Sequence, residues 1–122
     1  MPDAGLGGAV ASAGLVLLEA SAAGPERFAG VAGSLAAAAV GRAAGVPVWL
    51  VAGVGRALPA ALWTALEARL ERSPAPPWHR GTEVVPLALV DRVIGPAGPR
   101  PPDAAGSAGG CPVAPELLKL PG

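Results

Sequence analysis

Val46-Pro47-Val48-Trp49-Leu50-Val51-Ala52 is the stretch on which the fold turns. β-branched and aromatic side chains pack well on a pleated surface, and Pro47 stands near the start, where a missing ladder donor is tolerated. No polar residue interrupts it, which suits a strand covered on both faces, as in a parallel sheet. Just upstream, Gly45 is placed as the C′ stop of a helix from Leu35 to Ala44 with Ser34 as its N-cap. That helix is nearly all alanine, so it can lie close against a sheet. Before it, Leu15-Val16-Leu17-Leu18 reads as a second short, buried strand, and residues 21–33, rich in Ala, Gly and Pro, read as the connection. Downstream, Gly53-Val54-Gly55 breaks the strand, and Pro59 suits the first turn of a helix reaching about Arg72. There Leu62, Leu66 and Leu70 recur at spacing four beside Trp63, with Glu67, Arg69, Glu71 and Arg72 expected outward. Ser73-Pro74-Ala75-Pro76-Pro77 ends the helix, and Glu83 to Val90, carrying Pro86, reads as an edge strand or an extended packing segment rather than a central strand. The expectation is an α/β fold in βαβα order, with the second helix packed back onto the same parallel sheet. Two or three such strands cannot cover themselves, so either further strands come from residues not read as strands here or the chain pairs with another; self-association is the expectation.

The chain has 122 residues, enough for one small domain or part of one. Nine Lys+Arg balance nine Asp+Glu, so no net field draws it to nucleic acid or to an anionic membrane. Cys111 is the sole cysteine and His79 the sole histidine. That excludes an internal disulfide framework, fits a reducing cytoplasm, and leaves no basis for a metal site or cofactor. Ala20-Ser21-Ala22 has the small residues of a secretory cleavage site, but no Lys or Arg precedes Arg27, so a signal peptide is not expected. Apolar runs fall short of the roughly 20 residues a bilayer needs, so no membrane segment is expected. Ten of the 18 residues from Gly95 to Pro112 are Gly or Pro. The domain reading is therefore a core over 1–94, a flexible connection over 95–110 and a tail over 111–122.

Few residues suggest chemistry. Gly53-Val54-Gly55 follows a strand as a phosphate loop would, but lacks the third glycine or the Lys-Ser/Thr of such loops, and a strand-to-helix turn explains it. Gly33-Ser34 opens a helix, where free N–H groups and the dipole favour an anion; it is a weak candidate for a phosphorylated small molecule, against the plainer reading of an N-cap. Glu19 and Glu26 have no fixed separation as an acid/base pair and read as surface carboxylates. Trp49, Trp63 and Trp78 lack a basic stripe and read as core or interface anchors.

The stretch Leu15 to Ala52, LVLLEASAAGPERFAGVAGSLAAAAVGRAAGVPVWLVA, resembles the C-terminal Rossmann-like half of the initiation factor 2B alpha/beta/delta family. That family also contains methylthioribose-1-phosphate isomerase and ribose-1,5-bisphosphate isomerase. Its members carry an apolar strand ending in Gly-Ala-Asp, then Asn-Lys-x-Gly-Thr opening an alanine-rich helix, then Gly-Val/Ile-Pro and another apolar strand. Gly45-Val46-Pro47-Val48 agrees best, and Cys111 to Leu118 is similar to the family's Asp-x-Thr-Pro-Pro-Glu segment. The resemblance implies a partial Rossmann-like parallel sheet and assembly as a homo-oligomer or with a related subunit. It also shows degeneration. Ser21 stands where the isomerases carry an acid/base aspartate, and Gly30-Val31 where they carry the phosphate-engaging Asn-Lys; only Gly33-Ser34 keeps the Gly-Thr pattern. A hydroxyl is no carboxylate base near neutral pH, so no catalytic residue is assigned. The implied function is a non-catalytic or truncated initiation factor 2B-like protein acting by assembly or by weak sugar-phosphate or nucleotide binding. The alternative is an aldose-ketose isomerase completed by a partner chain or by upstream sequence.

Overall fold

A computed structural model of the chain describes residues 3–95 and 98–101. The chain runs α1 (Leu6–Ser12), β1 (Val16–Glu19), β2 (Ala22–Ala23), β3 (Arg27–Val31), α2 (Ser34–Ala44), β4 (Val48–Val51), α3 (Ala60–Glu71), β5 (Thr82–Pro86), β6 (Arg92–Gly95) and β7 (Gly98–Arg100). Single 3-10 turns lie at Asp3–Gly5, Pro77–His79 and Leu87–Leu89.

The first sheet has the order β1-β4-β6-β7. β1 and β6 flank β4 in parallel, and β7 closes one edge antiparallel. This is a partial Rossmann-like sheet, with β1 and β4 as the sequence implies. Its third parallel strand is Arg92–Gly95 rather than any part of Glu83 to Val90. Register puts Leu17, Trp49 and Arg92 in one row and Leu18, Leu50 and Val93 in the next. Because successive residues alternate faces, Val16, Val48, Leu50 and Val93 are buried on one side, while Leu17, Glu19 and Arg92 are exposed on the other. Helix α2 covers the buried side through Ala37, Ala38 and Gly41. A Cβ on Gly41 would stand 2.8 Å from Val48 Cγ2 and 3.2 Å from Val16 Cγ2, so the helix lies as near the sheet as a bare α-carbon permits. Gly45 ends it in the left-handed region at φ 73°.

A second sheet, antiparallel in the order β2-β3-β5, was not anticipated. Residues 21–33, expected as a connection, contain two of its strands. The third is β5, whose Pro86 sits at the strand end, paired with Arg27. Beyond it the chain turns through Leu87–Leu89 rather than continuing to Val90 as a strand. Both faces of this sheet are covered. Phe28, Val85 and Ala23 join the main core with α2 and the first sheet. Ala22 and Ala29 pack under Trp63 of α3, with Leu58, Leu66, Leu70 and Val84 around it. Helix α3 therefore rests on the second sheet and not, as expected, on the first. Its buried position is Trp63, whose indole packs over Ala22, Ala29 and Gly24, where a Cβ would meet the ring at 2.4 Å. Glu67, expected outward, is largely buried and pairs with Arg27 Nε at 2.8 Å, tying α3 to β3.

β7 falls in the stretch expected to be flexible; residues 102–110 and the tail 111–122, with Cys111, lie outside the described residues. No helix among the described residues is long and apolar enough to cross a membrane.

Candidate functional site

The start of α2 gathers most of the singled-out positions. Gly33 is the N-cap, in the left-handed region at φ 97°, and Ser34 is the first helical residue rather than the cap. The Ser34 hydroxyl turns back to donate to the Val31 carbonyl at 2.6 Å, and the residue is 3 % exposed. Gly30 lies against it: a Cβ there would stand 2.8 Å from Ser34 Oγ, so β3 can pass beneath the helix start only as glycine. The Gly33 N–H donates to Oε1 of Glu83. Glu83 reaches this point from β5, where register pairs it with Gly30. The helix start thus already faces a carboxylate of the chain itself, the charge that a dipole N-terminus and its N–H groups favour.

Val31, Gly33 and Ser34 line one groove of about 560 Å³ between α1, α2 and the β1 edge, with Leu6, Val10 and Leu15 among its walls. Val31 is 68 % exposed at this groove, and none of the lining residues is charged. Ser21 is not among them. It is exposed near the second sheet, its N–H donating to the Ala29 carbonyl at 2.8 Å and its carbonyl accepting from Arg56 Nη1 at 3.2 Å. The structure therefore brings Gly30, Val31, Gly33 and Ser34 together and leaves Ser21 outside the groove.

The other candidates are structural. Gly53 to Gly55 forms a turn closed by the Arg56 N–H on the Gly53 carbonyl at 3.1 Å, with Gly55 at φ 81°. Glu19 and Glu26 are exposed. Among the described residues no group of three His, Cys, Asp or Glu side chains could hold a metal ion. Of the tryptophans, Trp63 is core, Trp49 is half-buried, and Trp78 is 79 % exposed with its ring edge-on to His79. Sequence reading missed Glu83. It lies 50 residues from Gly33, and a strand acid looks like any solvated one until its cross-strand neighbour is known.

No family model and no curated protein sequence matches the chain. Solved structures do. The chain is similar to eIF2B beta from Chaetomium thermophilum, with a TM-score of 0.66 and 20 % identity over 88 % of this chain and 30 % of that one. It is also similar to the translation initiation factor eIF-2B subunit delta from A. fulgidus, with a TM-score of 0.59 and 16 % identity over 98 % of this chain and 38 % of that one. A third likeness is to 5-methylthioribose 1-phosphate isomerase from Pyrococcus horikoshii OT3, with a TM-score of 0.61 and 16 % identity over 86 % of this chain and 34 % of that one. The chain spans only about a third of the length of these proteins. Its two sheets, and the helix start held by Glu83 between them, are built on the fold shared by initiation factor 2B subunits and methylthioribose-1-phosphate isomerase, matching the resemblance carried by Leu15 to Ala52.

Proposed function

We propose that this chain is a non-catalytic relative of the initiation factor 2B and isomerase fold that acts in the cytoplasm by subunit assembly. The observation that carries this reading is the Glu83 carboxylate on the Gly33 N–H. A sugar phosphate at Gly33-Ser34 would have to displace a fixed anion, in a groove whose walls offer no cation. Proton transfer between adjacent sugar carbons needs a positioned acid and base, each contributing a factor of roughly 10²–10⁴. Ser21 supplies neither, and it lies off the groove. The purified chain is expected to show no turnover of methylthioribose 1-phosphate or ribose 1,5-bisphosphate, and no calorimetric binding of either at millimolar concentration. Turnover by the unmodified chain would overturn the reading.

A second reading, an isomerase completed by another chain, is favoured by the short span of the structural neighbours that this chain covers. Turnover that appears only when a second, related chain is added distinguishes the two; the double variant Ser21→Asp with Val31→Lys tests the alignment itself, which predicts tighter binding of inorganic phosphate.

A further inference from the structure

Among the described residues, no helix covers one face of the first sheet. Parallel strands are ordinarily covered on both sides, because their connections carry helices onto each face. Here α2 covers one side and α3 has gone to the second sheet. On the open side the residues form two rows across β1, β4 and β6: Leu17, Trp49 and Arg92, then Glu19, Val51 and Ile94. Leu17 is 60 % exposed, Trp49, Val51 and Ile94 are half-buried, and the two charged residues are exposed. The charges stand at opposite corners, with the apolar residues along the other diagonal and in the middle.

This arrangement is complementary to itself. A two-fold axis along the diagonal from Leu17 to Ile94 brings Glu19 of one copy over Arg92 of a second, and Arg92 over the second copy's Glu19. Trp49 and Val51 then meet at the centre. Face-to-face sheets pack about 10 Å apart, a gap that a glutamate and an arginine span together. A two-fold pairing uses each contact twice, so one opposite-sign diagonal provides two ion pairs at the rim of an apolar centre.

We infer that the open face of the β1-β4-β6 sheet is an isologous interface with a second copy of this chain, held in register by Glu19 and Arg92. The inference rests on the assembly reading and names its surface. Three short strands make a small interface, below the roughly 800 Å² per partner of a standard complex, so the pair is weak and of micromolar affinity.

Sedimentation equilibrium over about 5–500 µM should show the wild-type chain as a reversible dimer. Glu19→Arg alone and Arg92→Glu alone each set like charges against each other twice, and each should weaken self-association at least about tenfold. Mixed, the two variants should form a heterodimer, in which both opposite-sign pairs return. The double variant E19R/R92E should likewise regain self-association. Both sites are exposed, and an unchanged thermal melt for each variant shows that folding is intact. Charge reversals that leave the affinity unchanged, or variants that fail to cross-associate, overturn this surface. A folded wild-type monomer across the whole range also overturns it. Neither result restores catalysis, so the non-catalytic reading stands or falls separately on the turnover assay.

Discussion

The two sheets of this molecule meet solvent differently. The second, with only the short strands β2, β3 and β5, is enclosed: Phe28 and Val85 face the main core, and Ala22 and Ala29 lie under Trp63. The first has more strands and more apolar residues, yet one side carries Leu17 in the open. The difference comes from where α3 goes. A Leu/Trp helix covers whichever surface offers the deeper hollow, and the small residues Ala22, Gly24 and Ala29 make one that an indole fills. The open parallel face carries Trp49 and Val51, and its hollow beside Trp49 is lined by Arg42, Asp91 and Arg92, charged residues that a Leu/Trp helix does not fill. Sheet size does not decide enclosure; the shape and charge of the receiving surface do.

The contrast can be tested by emptying the hollow. Trp63→Ala should cost about 3–5 kcal/mol, the range for removing a large buried aromatic, and should release α3 from the second sheet. Chemical denaturation measures the loss, and amide exchange should show protection falling in β2, β3 and α3 before it falls in β1 and β4. Uniform loss of protection would mean that the two sheets are one cooperative unit. Next in size are two glycines that set close approaches, one for each sheet. Gly24→Ala drives a methyl into the rigid Trp63 ring, whereas Gly41→Ala drives one against Val48 and Val16. Both should destabilise by about 1–3 kcal/mol, with Gly24→Ala the worse because an indole cannot yield as a valine methyl can. The reverse order would indicate that α3 shifts more freely on its sheet than α2 does. The smallest effect is at Glu83, the contact between β5 and the start of α2. Glu83→Ala should cost about 1 kcal/mol, as loss of a helix cap does, and should let inorganic phosphate bind where the wild-type chain binds none. Calorimetry with phosphate reads the second outcome.

Strands β1 and β4 and helices α2 and α3 could be read from the sequence; helix α1, strand β6 and the second sheet could not. Val48 to Val51 and the alanine helix stopped by Gly45 carry strong local signals, and so does the Leu62/Leu66/Leu70 spacing. Ala22-Ala23 is two residues long, and Arg27 to Val31 contains Gly30, so neither shows the β-branched character or alternation that marks a strand. They become strands because β5 arrives from far along the chain to supply their partner. Arg92 to Gly95 was obscured by its leading charges and by the Gly/Pro stretch it enters. At the candidate site, Gly33 and Ser34 were found from the helix start they mark, but the hydroxyl's turn back to Val31 and the arrival of Glu83 depend on tertiary geometry.

The chain does not finish one sheet before starting the other. It lays down β1 in the first, β2 and β3 in the second, β4 in the first, β5 in the second, and β6 in the first. Glu83 meets Gly33 across 50 residues, and the Asp91 carboxylate accepts from the Val48 N–H across 43. Neither sheet can close until the late segment carrying β5 and β6 has been made and has found its place. Loop-closure entropy is thus spent before the pairing with β5 and β6 returns anything, which slows folding relative to a chain of local contacts. On a ribosome, β1 could pair with β4 and β2 with β3 as they emerge, but β4 would lack β6 and β3 would lack β5 until those later strands were released.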